Sequence, residues 1–326
     1  MDETEAPPYK KGLDEVKEEV LSRVIEEHDV SGAQRRKRVD LLRKLETHGN
    51  KRKKSGYLAF FCSERSGVGI DSGDVPALGD ALMSLGQLDQ LNLIIDGPGG
   101  DGTVAEKIIE LCRSYCKEFR VVVPNRAKSA ATVIALGADE IVMGYCSELG
   151  PIDAQILVMV SGFPYFISAQ SFIDARDLLE KRFKDSTAAK EDPKAILTQI
   201  ATLDPPFIDH CQKLMDFSRE VARKYLEKHM FKRIRKVSSR KDMIDNVLKG
   251  LSSVGIFKVH GRMIDGNAAK TDLKLNVRLL GKDDPLWKDL WQYYVRVDVQ
   301  FSRTPGYAKL IETKNEILIQ QSMKGG

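Results

Sequence analysis

The sequence offers little that would point to a disulfide scaffold, a metal centre or a membrane span. Its five cysteines (Cys62, Cys112, Cys116, Cys146 and Cys211) are odd in number and contain no CxxC pair, so they read as reduced, small hydrophobes. Cys112 and Cys116 stand four apart in a helix-like stretch, on one face, but without a nearby histidine or a second pair they do not make a zinc site. Neither a metal nor an organic cofactor is expected. No apolar run approaches the roughly 18 residues that a membrane helix needs, and the segment Met1 to Lys11 is acidic and contains prolines where a targeting leader would be basic and then apolar. The expectation is a cytoplasmic protein without a membrane span.

An excess of one charge is also missing. The 51 basic and 47 acidic residues leave a net charge of +4, a weak field that gives no reason to expect a nucleic-acid partner. The one concentrated patch, Lys51-Arg52-Lys53-Lys54, lies between a helix-like segment and the first apolar strand. A solvated linker is its ordinary explanation, and a phosphate contact the lesser alternative.

What is present is enough apolar material, 42% of 326 residues, for one large domain or a core with an extension. Residues 12–48 show valines, leucines and isoleucines at helical spacing among charges, a polar helical preface. From Gly56 the character changes. Tyr57 to Cys62 and Leu91 to Ile95 are short continuous apolar runs, expected for strands buried on both faces. Helical spacing fills Asp74 to Leu85 and Thr103 to Cys116, Phe119 to Val123 is a third strand, Ser129 to Gly137 a small-residue helix, and Glu140 to Met143 a fourth strand. Two βαβ crossovers in series imply a largely parallel sheet. The segment Cys146 to Ile156 reads as a loop. Residues 171–254 turn helical, with the clearest apolar face from Pro205 to Met230; Ile256 to Val259 is strand-like, and Pro285 to Phe301 is a helix carrying both tryptophans. The expected division is a polar helical extension (1–55), an α/β core (56–170), and a helical extension (171–326) with a return strand and a C-terminal segment that completes the core.

In an open parallel sheet, ligands bind beyond the C-terminal ends of the strands. Three loops are expected there: Asp96 to Gly102, Pro124 to Ser129, and Ser147 to Asp153. The first holds four glycines and a proline in seven residues, a tight loop that exposes backbone. It lacks the Lys-Ser/Thr of a phosphate cradle and the spacing of a dinucleotide loop. The second sets a hydroxyl at a helix start, where free N–H groups favour an anion. These are the parts of an acyl-transfer site. Ser129 would be the nucleophile, and the N–H groups of Gly100, beside Gly99, and of Ala130 would be the oxyanion donors. Read locally, Ser129 is first an N-cap of the helix that follows, a common role for serine.

Three blocks carry a resemblance: Asp96-Gly97-Pro98-Gly99-Gly100, Ala127-Lys128-Ser129-Ala130-Ala131-Thr132, and Ser147-Glu148-Leu149-Gly150-Pro151-Ile152-Asp153. Together they resemble the Clp-type peptidase and signal-peptide-peptidase superfamily, and more closely the serine dehydrogenase proteinase family. Weaker similarity extends over most of residues 57–320. The resemblance implies a Clp/crotonase-like α/β fold of repeated βαβ units, a homo-oligomer, and a serine peptidase acting on peptide or protein substrates. It also implies a triad in the chain order Ser129, Asp153, His260, with His260 as base and Asp153 orienting it. Among the five histidines, His260 alone ends a strand-like run and precedes a glycine. Asp265 and Glu148 are rival acids, and Lys128 is an alternative base in the manner of a Ser-Lys dyad. Ala154 stands where the family commonly has proline, directly after Asp153. Two other readings share these parts: a non-catalytic scaffold that binds a peptide, and a crotonase-type acyl-CoA enzyme using acidic residues.

Overall fold

The computed structural model describes residues 33–63, 67–160, 162–188, 192–252, 263–304 and 306–321. The helical expectation for 12–32 and the strand-like run at 256–259 lie outside them.

Helix α1 (Ala33–Thr47) leads into β1 (Ser55–Cys62), α2 (Asp74–Leu85), β2 (Leu88–Asp96), α3 (Gly102–Ser114) and β3 (Cys116–Val123). After the short β4 (Arg126–Ala127), α4 (Ala130–Leu136) returns the chain to β5 (Glu140–Met143). A two-residue β6 (Glu148–Leu149) precedes the hairpin β7 (Gln155–Val160) and β8 (Phe163–Ser168). The helices α5 (Ala169–Ala188), α6 (Lys194–Ala201), α7 (Pro205–Tyr225) and α8 (Val237–Ser252) follow. Then come β9 (Ile264–Asp265), α9 (Gly266–Thr271), β10 (Val277–Leu279), α10 (Pro285–Arg303), β11 (Tyr307–Glu312) and β12 (Ile317–Gln321).

Seven strands form one sheet in the order β10-β5-β3-β2-β1-β11-β12. The five from β10 to β1 are parallel, and β11 and β12 add antiparallel at the β1 edge. This is the mixed α/β, largely parallel sheet that the alternating pattern predicts. Its central strands read as unbroken apolar runs because both faces are covered. In β1, Leu58, Phe60 and Cys62 face a core shared with α2, α3, α4, α7 and α8, whereas Tyr57, Ala59 and Phe61 face a second core under α1 and α10. Period-two alternation thus assigns each side chain to one layer.

The described part of the polar preface, α1, docks on that second layer. Leu42 and Leu45 are fully buried, and the buried Arg38 donates from Nε to Glu312 of β11 at 2.8 Å.

Several elements differ from expectation. Helix α3 ends at Ser114 and Cys116 opens β3, so Cys112 and Cys116 do not share a helix face; the Cys116 thiol donates instead to the Cys112 carbonyl. The stretch read as a loop over 146–156 contains β6 and the start of the β7–β8 hairpin. The long helix keeps α-geometry only to Tyr225, then widens to a π-turn at Leu226–Met230.

Candidate active site

The glycine loop, the Ser129 segment and the 147–153 loop are tied together by backbone hydrogen bonds above the C-terminal ends of β2 and β3. Gly97 bridges Ala127 in parallel, with Gly97 N–H donating to Arg126 O (3.1 Å) and Lys128 N–H to Gly97 O (3.2 Å). Next, β4 pairs in parallel with β6, and Gly150 N–H donates to Ala127 O (3.0 Å). The Asp96 carboxylate accepts from Arg126 N–H at 2.8 Å, closing the turn from the other side. The three loops expected at the sheet's edge therefore form one hydrogen-bonded unit.

Ser129 sits where β4 gives way to α4, with φ +49° and ψ −117°. A non-glycine residue enters this region only at a cost on the order of 1–3 kcal/mol, and only when its surroundings hold it there. It makes no side-chain capping bond, so the local reading of Ser129 as an N-cap fails. Strand, sharp turn, strained serine and helix together have the form of a nucleophile elbow.

Gly99 lies directly against this serine. Its φ is +109°, and a methyl group there would fall 2.7 Å from Ser129 Cβ and 2.8 Å from Lys128 O. Gly100, at φ +147°, is bridged to Ile70 through Ile70 N–H to Gly99 O (2.7 Å) and Asp101 N–H to Ile70 O (2.9 Å). The bridge uses the flanking groups and leaves the Gly100 amide directed away from Ile70. Among the described residues no backbone hydrogen bond takes up the N–H of Gly100 or of Ala130. Ala130 opens α4, where the first amides of a helix have no intrahelical acceptor.

Thr132, which the sequence did not single out as a site residue by itself, is fully buried beneath the elbow. Its hydroxyl donates to Ala127 O (2.6 Å) and accepts from Gly150 N–H (3.1 Å), pinning α4 to both neighbouring loops. A threonine three residues into a small-residue helix, where back-bonding hydroxyls are common, was the available signal.

Lys128 reaches across the β4–β6 pair, with its ammonium 2.9 Å from Glu148 Oε1. That engages two rival groups with each other. Asp265 caps α9, its carboxylate accepting from Ala268 N–H at 2.8 Å. Asp153 is buried, 1% exposed, in a segment anchored by Ile152 N–H to Leu251 O (3.0 Å) and Ala169 N–H to Ala154 O (2.8 Å).

His260 lies outside the described residues, as does His28. The chain leaves the described part at the end of α8, next to Leu251, and re-enters at Met263 before Ile264, which pairs with Leu149. Of the other histidines, His48 Nε2 lies 2.7 Å from Asp289 and His210 is exposed on α7. His229, on the π-turn, lines a polar cavity with residues that open β3 and β5, including Lys117, Glu118 and Glu140. That is the end of the sheet opposite Ser129. Burial, reinforced by Arg113, pushes its pKa down to about 4.

Three of the cysteines are held as thiols. Burial pushes the Cys62 and Cys112 thiols well above their ordinary range and Cys116 to about 11. Among the described residues no group of three or more His, Cys, Asp or Glu is arranged to hold a metal, and no helix is long and apolar enough to cross a membrane.

A largely parallel sheet with a strained serine at a strand-to-helix turn, faced by a glycine loop, defines a mixed α/β protein with that turn at the C-terminal ends of its strands. Residues 75–187 match the family model of the ClpP-like SDH-type serine proteinases, which supports the resemblance carried by the three blocks. Two uncharacterized proteins of Methanocaldococcus jannaschii, MJ0137 and MJ1495, are 42% and 38% identical to this chain over 66 residues. The matched stretch is 20% of this chain and spans only 23% of each of these relatives.

Proposed function

We propose that the chain is a serine peptidase that cleaves peptide bonds through an acyl-enzyme on Ser129. The observation that carries this reading is the strained backbone of Ser129, uncapped and in contact with Gly99. In the reaction, Ser129 Oγ attacks the substrate carbonyl while its proton passes to the imidazole of His260. The oxyanion accepts from the N–H groups of Gly100 and Ala130, each worth about 3 kcal/mol in the transition state. Collapse expels the amine, which takes the proton from His260. Water, activated by the same imidazole, then hydrolyses the ester.

Asp153 is the acid of choice in this reading because it is buried directly after Ile152, whose N–H is held by Leu251 O beside the chain that leads on toward His260. His260 fits as base because the chain on either side of it is anchored to the 148–153 loop, through Leu251 to Ile152 and Ile264 to Leu149. The Lys128–Glu148 pair argues against a Ser-Lys dyad. The steps use only side chains and backbone, with no cofactor. Peptide or protein substrates and a homo-oligomer belong to the same reading; the exposed Leu157, Met159, Phe163 and Tyr165 of the β7–β8 hairpin offer apolar surface for assembly.

The test is labelling with a fluorophosphonate. The wild-type protein should form a covalent adduct at one serine and lose peptidase activity, and Ser129→Ala should do neither while remaining folded. A non-catalytic scaffold predicts a folded wild type that is never labelled. A crotonase-type enzyme predicts an unlabelled protein that acts on acyl-CoA thioesters.

A further inference from the structure

The glycine loop is not held by the sheet alone. Residues 67–74 run over it as a strap, and the strap's own anchor is a lysine from near the C-terminus. Lys309 of β11 pairs in register with Cys62 of β1, and its side chain is 0% exposed. All three ammonium protons have acceptors: Asp74 Oδ1 at 2.8 Å and Oδ2 at 3.0 Å, and Asp71 Oδ2 at 2.6 Å. Burial by itself would lower the pKa of this lysine, but the bonds to Asp71 and Asp74 carry it above the ordinary lysine range. The ammonium is held charged.

The two aspartates in turn shape the strap. Asp71 N–H donates to Asp74 Oδ2 (2.8 Å) and Gly73 N–H to Asp71 Oδ1 (2.8 Å). The residue before Asp71 is Ile70, whose N–H and carbonyl grip Gly99 O and Asp101 N–H. One peptide unit thus separates the cluster from the backbone that fixes Gly100.

We propose that Lys309 is a positioning residue for catalysis, clamping Asp71 and Asp74 so that Ile70 holds the Gly100 amide at the oxyanion position. This rests on the acyl-transfer reading of Ser129. A buried ion set with one member removed is costly in itself, so the test needs a readout that a purely structural role would not move.

The experiment compares the wild-type protein with Lys309→Met, Lys309→Arg and Asp71→Asn. Asp71 is 50% exposed, so Asp71→Asn is a variant that folds even where Lys309→Met does not. Labelling by a fluorophosphonate is followed for rate and for final stoichiometry, peptide hydrolysis for kcat and KM, and amide exchange at Asp101 for the strap. Lys309→Met should label to full stoichiometry with a rate and a kcat lowered ~10–100-fold, KM little changed, and Asp101 exchanging faster. Lys309→Arg should recover most of the rate, and Asp71→Asn should show a smaller loss of the same kind.

Wild-type rates and unchanged Asp101 exchange in folded Lys309→Met, or in Asp71→Asn if only that variant folds, would overturn the clamp. A loss of labelling stoichiometry at an unchanged rate would do the same, since it marks fewer folded molecules and not a misplaced amide. A wild-type protein that fails to label would instead overturn the acyl-transfer reading and take the catalytic role of Lys309 with it.

Discussion

Replacing Gly99 by alanine separates a loop that merely closes the fold from one that shapes a reaction. The residue has φ +109°, a conformation that costs a side-chain-bearing residue about 1–3 kcal/mol. The added methyl would also stand 2.7 Å from Ser129 Cβ and 2.8 Å from Lys128 O. Carbon atoms pack at about 3.5–4.0 Å, so loop and elbow must part by about 1 Å. Moving a reacting group that far costs roughly 10²-fold in rate, and losing alignment with one oxyanion donor costs roughly 10²–10³-fold. Gly99→Ala should therefore lower the rate of fluorophosphonate labelling by ~10²–10⁵-fold, while denaturant unfolding reports a loss of ~2–6 kcal/mol. The control is Gly102→Ala in the same loop, where the nearest atom to the new methyl is Phe217 Cε1 at 3.9 Å; its labelling should stay near wild type. If Gly99→Ala labels within about threefold of wild type, a difference below ~1 kcal/mol, the loop does not shape the serine's site and the reasoning is wrong.

Ser129→Gly should abolish labelling yet raise stability by ~1–2 kcal/mol, because glycine adopts φ +49° without strain; a lower unfolding midpoint would refute the strain. Lys128→Ala should leave peptidase activity within about tenfold of wild type, whereas His260→Ala should remove most of the rate along with the acidic limb of the pH profile near pH 6–7. The reverse ranking would make the enzyme a Ser-Lys peptidase. His229, held near pKa 4 in the fold by burial, ordinarily titrates at about 6.5. The folded state thus binds fewer protons than the unfolded one in that window, and stability is fully present above about pH 6.5 and declines as pH falls toward 4. Discounting for solvent at the partly exposed ring, the loss is ~1–2 kcal/mol. His229→Gln should flatten that part of the pH–stability curve in denaturant titrations, and a curve of unchanged slope would refute the assignment.

The sheet's centre was legible because its physics is local. Tyr57 to Cys62 and Leu91 to Ile95 are apolar without a break, and a run that short and that apolar is stable only as a strand covered on both faces. The edges were not legible for the same reason. In β10 only Val277 is buried, with Arg278 and Leu279 exposed, and β12 has no buried residue. Such strands owe their conformation to the neighbour they pair with, through backbone groups that leave no pattern in the side chains. The β7–β8 hairpin hid behind another ambiguity. Leu157 and Met159 are exposed although apolar, so the alternation that marks a half-buried strand is absent.

Ser129 shows why local reading alone chooses a cap where the fold does not make one. An N-cap works when its residue has an extended backbone, from which the hydroxyl oxygen can accept from the amides one turn into the helix. Asp101, Asp204 and Asp284 do this at α3, α7 and α10, each with extended backbone and a side-chain bond to the helix start. Ser129 has neither the backbone nor the bond. Its strained φ is what withholds the hydroxyl from its own helix, and nothing within Lys128-Ser129-Ala130 supplies the energy to keep it there. That energy comes from outside the segment: from the Gly97–Ala127 bridge, from the Thr132 hydroxyl on Ala127 and Gly150, and from Gly99, the one residue type small enough to lie against the turn. A strained residue persists only where its neighbours over-determine it. Each of these tethers is therefore bound energetically to the conformation of Ser129, and loosening any of them should let Ser129 relax toward the capping conformation, where its oxygen would serve the helix.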